Sequence, residues 1–329
     1  HVEEFVSQGV DLIIISPREA APLTKPVAEA YEQGVPVIVL DRAVLGEKYT
    51  CFIGADNKEI GHAAGEWIRN RLGGKGKIVA ERFLPFEGID NFRDLGGYET
   101  TSGQTVRWGR IYRSGDLTGA TKADLKYLSR LGVKVVFDLR FPDDISENPD
   151  PLPGPETRLV PLGRDNEEFR RLFEVFQRAD SRAVADTEGG GAWLQCYRSF
   201  IRDYTDEFSV ILQMLAEPGS LPAVVHCSGG QDRTGMVAAI LLGLLGVPHG
   251  TVVSDYLLSP QTGGALDEWL AQHPYPDAVQ SFWIAREEHL VAGIDEIRKL
   301  YGSVERYALD GLGMTSNMIE RLRSLLLSP

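Results

Sequence analysis

Residues 222–246 read PAVVHCSGGQDRTGMVAAILLGLLG. Ala223–His226 is a short apolar, β-branched run suited to a buried strand, and Thr234–Leu245 reads as the helix that follows it. Cys227 therefore stands at the end of a strand and Arg233 at the entrance of a helix, with Ser228, Gly229, Gly230, Gln231 and Asp232 between them. Five residues suffice to wrap a loop around one tetrahedral anion, and Gly229 and Gly230 permit backbone conformations that aim N–H groups inward. The helix dipole favours both a bound anion and a thiolate at Cys227. Arg233 presents a planar fork able to hold two anion oxygens, a geometry that lysine lacks. A nucleophile and a phosphate clamp thus share one short segment.

Working outward, Arg110–Arg113 and Val133–Leu139 read as further strands, Lys122–Leu131 as a helix and Asn148–Pro155 as a Pro-rich loop. An amphipathic helix is predicted over Glu167–Arg182. The glycine run of Glu188–Ala192 follows as a flexible break in a lid, and one long helix spans Trp193–Ala216. The remainder to Leu327 reads as predominantly helical. Ahead of Arg82 the rhythm differs. Strands at Asp11–Ser16, Val35–Leu40, Thr50–Ile53 and Lys77–Ala80 alternate with helices at Ala21–Gln33 and Lys58–Leu72, which predicts a doubly wound parallel sheet. The fold class is α/β in both parts, with domains at 1–81 and 82–329.

Composition narrows the partners. The 329 residues carry a formal net charge of -13, so no nucleic-acid partner is expected, and an anionic substrate must meet a local positive site. Cys51, Cys196 and Cys227 are an odd number without close spacing, which favours neither a disulfide framework nor a metal cluster. No metal or other cofactor is implied. The longest apolar runs fall short of a membrane span, and the first residues lack the pattern of a signal peptide. His1 in place of Met predicts that something upstream was removed or renumbered.

HCSGGQDRTG resembles the signature of the protein tyrosine phosphatase superfamily. NFRDLGG (91–97), IYRSG (111–115), VFDLR (136–140) and YGSVERYALDGLGM (301–314) are similar to its bacterial branch of tyrosine and lipid phosphatases. The resemblance implies hydrolysis of phosphate monoesters through a phosphocysteine, with Cys227 as nucleophile and Arg233 as clamp. It assigns His226 to orienting the loop and tuning the thiolate, and the Thr234 hydroxyl to hydrogen-bonding the sulfur. Two carboxylates compete for the general acid. Asp138 is preferred and Asp232 is the rival, while a plainer reading pairs Asp138 with Arg140. Ser228, Gly229, Gly230 and Gln231 would bind the substrate phosphate. Members of this branch commonly carry Lys where this chain has Gln231, which shifts the expectation toward phosphotyrosine or another aromatic monophosphate and away from highly phosphorylated lipid. Phosphoserine, phosphothreonine and phosphoinositides remain open. Arg93 and Asp94 are read as a structural ion pair, and Cys196 as core.

GVDLIIISP (9–17), GVPVIVLDR (34–42) and IGADNKEIGHAAGEWI (53–68) resemble part of a periplasmic sugar-binding protein or its repressor relatives. That resemblance implies sugar contacts at Asp41, Arg42 and near Asp56, but only the later part of one lobe is present. A working sugar cleft is therefore not expected. An uncovered sheet edge predicts a homodimer or a tight domain contact. The thiol chemistry favours a cytoplasmic location, and the N-terminal resemblance leaves export open. The rival readings are a phosphate-binding pseudoenzyme, a sugar-responsive regulator, or another enzyme using the same loop.

Overall fold

The computed structural model describes residues 2–16, 20–40, 48–53, 78–80, 82–177, 191–259 and 284–328. The chain forms two compact units, 1–87 and 88–329. In the first, α1 (Val2–Ser7), β1 (Leu12–Ile15), α2 (Ala20–Glu32), β2 (Val37–Leu40), β3 (Cys51–Ile53) and β4 (Ile78–Ala80) form a sheet of order β3-β2-β1-β4. Every described strand pair in it is parallel. LIII and VIVL are buried along almost their whole length, as strands of a parallel sheet with α2 as crossover should be. The expected helix at 58–72 and the sugar-contact candidates Asp41, Arg42 and Asp56 lie outside the described residues.

In the second unit β5 (Arg93–Asp94), β7 (Ile111–Ser114), β8 (Val135–Asp138), β9 (Arg158–Pro161) and β10 (Ala223–His226) form a sheet of order β5-β7-β10-β8-β9. β6 (Thr105–Val106) pairs apart from it with β11 (Leu327–Ser328). β10 is central, parallel to β7 and β8, and fully buried. Its register sets His226 opposite both Ser114 and Asp138, so three strand ends meet at one edge, the place where open α/β sheets bind ligands.

Between β7 and β8 runs α3 (Lys122–Leu131). The Thr121 hydroxyl accepts from the Asp124 amide, the Asp124 carboxylate accepts from the Thr121 amide, and Gly132 ends the helix in the left-handed conformation. β9 was not anticipated from sequence. It is a half-exposed edge strand, so it lacks the apolar alternation that marks a buried one. α4 (Pro142–Glu147) and α5 (Glu167–Gln177) flank it in sequence. The last part of the predicted 167–182 helix and most of the glycine run fall outside the described residues.

The single helix expected over 193–216 is two, α6 (Ala192–Asp203) and α7 (Thr205–Leu215). Tyr204 leaves helical geometry at the junction, with φ -98° and ψ 19°. Its buried ring packs on Phe200 and Phe208 at centroid distances of 5.5 and 5.9 Å, and its hydroxyl donates to the Arg164 carbonyl. Tertiary packing thus overrides a continuous helical pattern. α8 (Asp232–Leu244) is buried nearly all round and follows β10. α9 (His249–Leu257), α10 (Glu287–Tyr301) and α11 (Ser316–Leu326) close the unit.

Candidate active site

The loop from Cys227 to Arg233 is shaped from outside. The Ser228 carbonyl accepts from the Asp116 amide at 2.9 Å, and the Gly229 carbonyl from Asn91 Nδ2 at 2.9 Å. Arg113 Nη2 donates to the carbonyls of Gly230 and Gln231 at 2.8 and 3.3 Å. In a trans peptide the N–H points opposite to the carbonyl. Four carbonyls held outward therefore turn the amides of Gly229, Gly230, Gln231 and Asp232 toward the inside of the loop, a nest for an anion.

Only one of the two loop glycines is forced by this shape. Gly230 has φ +65°, and a Cβ there would lie 2.2 Å from the Ser114 carbonyl oxygen. Gly229 has no positive φ, and its Cβ would meet nothing within 4 Å. Gly235, one turn into α8, lets Tyr256 and Arg113 approach. A Cβ there would come 2.9 Å from Tyr256 Cδ2 and 3.3 Å from Arg113 Nη2.

Arg113 is itself held by Asp255 on α9. Nη1 lies 2.7 Å from Asp255 Oδ2, and both side chains are buried. Arg93 pairs with the same carboxylate at 3.5 Å and donates to the Asp255 backbone oxygen at 2.9 Å. The expected Arg93–Asp94 pair is therefore corrected. Asp94 instead accepts from the amides of Gly96 and Gly109, pinning a turn. Burial first, and then the neighbouring Arg113, push the Arg93 pKa down to about 9. Burial works against the Asp255 charge, but Arg93 and Arg113 outweigh it and hold its carboxyl below the usual range.

Arg233 is almost fully buried, with Nη1 donating to the Leu139 carbonyl at 2.6 Å and Nη2 to Ser228 Oγ at 3.3 Å. Its guanidinium carbon lies 4.8 Å from the Phe141 ring centroid and 4.7 Å from that of Phe169. Two aromatic faces thus fix the plane of the fork. Its Nε has no hydrogen-bond partner among the described residues, nor has the buried Thr234 hydroxyl. Burial disfavours the Arg233 charge, yet Cys227 and the acids around it raise its pKa overall.

The two candidate acids stand in opposite environments. Asp138 is buried beneath the loop, where Arg140 Nη2 meets Oδ2 at 2.7 Å and Arg140 Nε donates to both oxygens. Burial would raise its pKa, but Arg140 and His226 overcome that and lower it. Asp232 opens α8 with no cation in its hydrogen bonds. Burial raises its pKa, and the Tyr197 hydrogen bond and the Arg233 charge only partly oppose this.

His226 sits behind the loop, its Nε2 2.8 Å from Asp150 Oδ2 and 3.7 Å from Asp138 Oδ1, with Nδ1 3.3 Å from the Cys227 carbonyl oxygen. The ring nitrogen and the Asp150 oxygen are close but not aligned as a hydrogen bond. Arg140 also reaches Asp150 at 3.1 Å. Ligating atoms of Asp138, Asp150 and His226 lie within 4.8 Å of one another, but the Arg140 cation already meets both carboxylates where a metal would have to sit.

The segment quoted first thus supplies Cys227, the nest and Arg233, while Asn91, Arg113, Asp116, Asp150, Tyr197, Asp255 and Tyr256 come from elsewhere and were not assigned from sequence. Asn91 and Arg113 fall inside motifs that could have pointed to them, NFRDLGG and IYRSG. Nothing local marks Asp150, Tyr197 or Asp255.

A buried cysteine under an amide nest, with an arginine fork fixed across it, defines a cysteine-dependent phosphatase on a mixed α/β fold. The chain belongs to the tyrosine phosphatase family, which it matches over residues 84–328. It is 30% identical over 234 residues to a candidate tyrosine-protein phosphatase of Cupriavidus necator, covering 70% of this chain and 84% of that one. It is also 29% identical over 284 residues to the triple specificity protein phosphatase PtpB of Mycobacterium tuberculosis, covering 76% of this chain and all of the other. Residues 1–90 match a periplasmic binding protein domain. There the ribose import binding protein RbsB of Bacillus subtilis is 36% identical over 80 residues, which is 24% of this chain and 26% of RbsB.

Proposed function

We propose that the chain hydrolyses phosphate monoesters in two steps through a phosphocysteine at Cys227, with aryl monoesters of the phosphotyrosine type as its main substrates. The observation that carries this reading is the outward anchoring of four loop carbonyls, because it presents four donors to the oxygens of one phosphate before substrate arrives. Arg233 holds two of the same three equatorial oxygens as charge develops. Sγ attacks phosphorus in line, the phosphoryl group passes to sulfur, and water then attacks phosphorus and breaks the S–P bond. Ser228 supports the Arg233 fork, and Thr234 offers its hydroxyl to the sulfur as the thiolate leaves. His226, held by Asp150, orients the nucleophile's peptide.

Asp232 is the general acid in this reading, in place of Asp138. A leaving phenoxide needs a donor that carries a proton near neutral pH, and a raised pKa serves that need where a lowered one does not. Asp138 serves instead as the counter-charge that fixes Arg140. Gln231 brings no charge to the loop, and its amide lies 3.5 Å from Asp232 Oδ1. A substrate with several phosphates gains no extra cation there, which supports small aryl phosphates and phosphorylated proteins over phosphoinositides.

Phosphate release from an aryl phosphate, a phosphotyrosine peptide and a phosphoinositide, each with chelator present, tests the reading. Turnover ranked in that favour and abolished by Cys227→Ser supports it; tight phosphate binding without turnover gives the pseudoenzyme instead.

The N-terminal unit serves in this reading as a packing and dimerisation surface, since it matches only about a quarter of RbsB. Light scattering should then report a dimer, and ribose at high concentration should change neither turnover nor melting temperature. A cytoplasmic location fits a nucleophile that must stay reduced.

A further inference from the structure

The hydrogen-bond partner of the Asp232 carboxylate comes from a distant helix. Tyr197 on α6 places its hydroxyl 2.6 Å from Asp232 Oδ1, and Tyr256 on α9 places its hydroxyl 2.6 Å from that of Tyr197. The two rings meet edge to face at 6.2 Å, and both are buried. Burial, reinforced by the charge of Asp232, pushes both phenol pKa values well above their ordinary value, so each keeps its proton throughout the working range. A phenol has one proton to donate. That of Tyr197 goes to the carboxylate, so the Tyr256 hydroxyl donates to the Tyr197 oxygen and the chain runs Tyr256 to Tyr197 to Asp232. The Gln231 amide, at 3.5 Å, approaches the same Oδ1. Arg233 is the cation whose charge acts on Asp232.

We propose that Tyr197, backed by Tyr256, is a positioning residue for the general acid: it occupies Oδ1, leaving the transferable proton on Oδ2, and steadies the carboxylate once that proton has gone. The inference rests on the assignment of Asp232 as the acid. In the first step a sulfur electron pair forms the S–P bond while the P–O bond to the leaving group breaks. The freed electron pair stays on the leaving oxygen, which takes the proton from Oδ2. In the second step water bonds to phosphorus and returns a proton to Oδ2, and the S–P electron pair goes back to sulfur as thiolate. Tyr197 never gives up its proton. Its hydrogen bond strengthens as Asp232 becomes charged, so it acts mainly where the leaving group demands protonation.

The test is turnover across aryl phosphates whose leaving phenols run from weakly to strongly acidic, for wild type, Tyr197→Phe, Tyr256→Phe, Asp232→Asn and the Tyr197→Phe/Asp232→Asn double variant. Tyr197→Phe should lower kcat by about 10- to 100-fold on the least acidic phenol, the worth of a hydrogen bond to a charged group. It should leave the most acidic one within about twofold, KM should hold throughout, and the second substitution should add little to Asp232→Asn. Tyr256→Phe, one bond further away, should show the same trend more weakly, and it carries the test if Tyr197→Phe does not fold. A uniform loss over all leaving groups, or a full additive loss in the double variant, overturns the proposal while a steep Asp232→Asn series leaves the acid assignment standing. A flat Asp232→Asn series overturns both.

Discussion

Arg113 and Asp255 form a fully buried ion pair at 2.7 Å, and the other terminal nitrogen of the same guanidinium holds the carbonyls of Gly230 and Gln231. The shape of the phosphate loop is thereby tied to a carboxylate on a helix that contributes nothing to the loop itself. Asp255→Asn keeps the side chain's outline but leaves Arg93 and Arg113 without their shared counter-charge. It should cost about 3–5 kcal/mol in urea unfolding, the range for a buried pair deprived of one member. In the protein that remains folded, inhibition by inorganic phosphate should weaken together with kcat/KM.

Acid should destabilise the phosphatase unit in two stages. His289 is buried against Trp193 at a ring distance of 5.3 Å, and burial pushes its pKa down to about 4. The unfolded chain therefore binds the extra proton first, and stability falls as pH drops from about 6.5 toward 4, by up to about 3 kcal/mol. Asp138 and Asp255, whose pKa values are lowered in the fold, contribute stability that is present above about 3.9 and is lost as pH falls through their folded values. Asp232, shifted the other way, takes up its proton in the fold first, above about 3.9, and so offsets part of the upper-stage loss. Urea titrations at successive pH values check this, and His289→Phe should remove the upper stage while keeping the stacked ring.

The two loop glycines should differ. Gly230→Ala meets both a positive φ and the Ser114 carbonyl, and should lose about 2 kcal/mol or more along with most phosphate affinity. Gly229→Ala should melt within about 0.5 kcal/mol of wild type, since nothing stands in its way. Thermal unfolding of the two variants side by side decides it.

Asp138→Asn and Asp232→Asn should separate support from chemistry. Removing the Asp138 charge leaves Arg140 with Asp150 as its remaining carboxylate and should cost stability by about 3 kcal/mol, with the loss in kcat similar for good and poor leaving groups. Removing the Asp232 proton donor should lower kcat by about 10²- to 10⁴-fold for poor leaving groups, with little loss of stability. Equal leaving-group dependence in both variants would count against the assignment.

The strand–loop–helix at 223–245 was legible in the chain alone, because an apolar run, glycines and a following helical segment are all local signals. The places of Cys227 and Arg233 at the two ends of that loop were legible for the same reason, since their spacing lies within one segment. The α/β character of both halves and the helix at Lys122–Leu131 were legible from periodicity. β9 and the bend at Tyr204 were not legible, because the first is half-exposed and the second goes with tertiary contacts of Tyr204 to Phe200, Phe208 and the Arg164 carbonyl. Only packing sets the two aspartates apart, lowering the pKa of Asp138 and raising that of Asp232. Asp138 lies two residues from the arginine that ionises it, whereas Asp232 meets its phenol 35 residues earlier in the chain, across a packed helix. The same holds for the loop carbonyls, whose partners Asn91, Arg113 and Asp116 sit on other segments brought close by the sheet. Local sequence sets the geometry of a backbone turn, but the pKa of a buried carboxylate depends on which neighbours the fold places beside it.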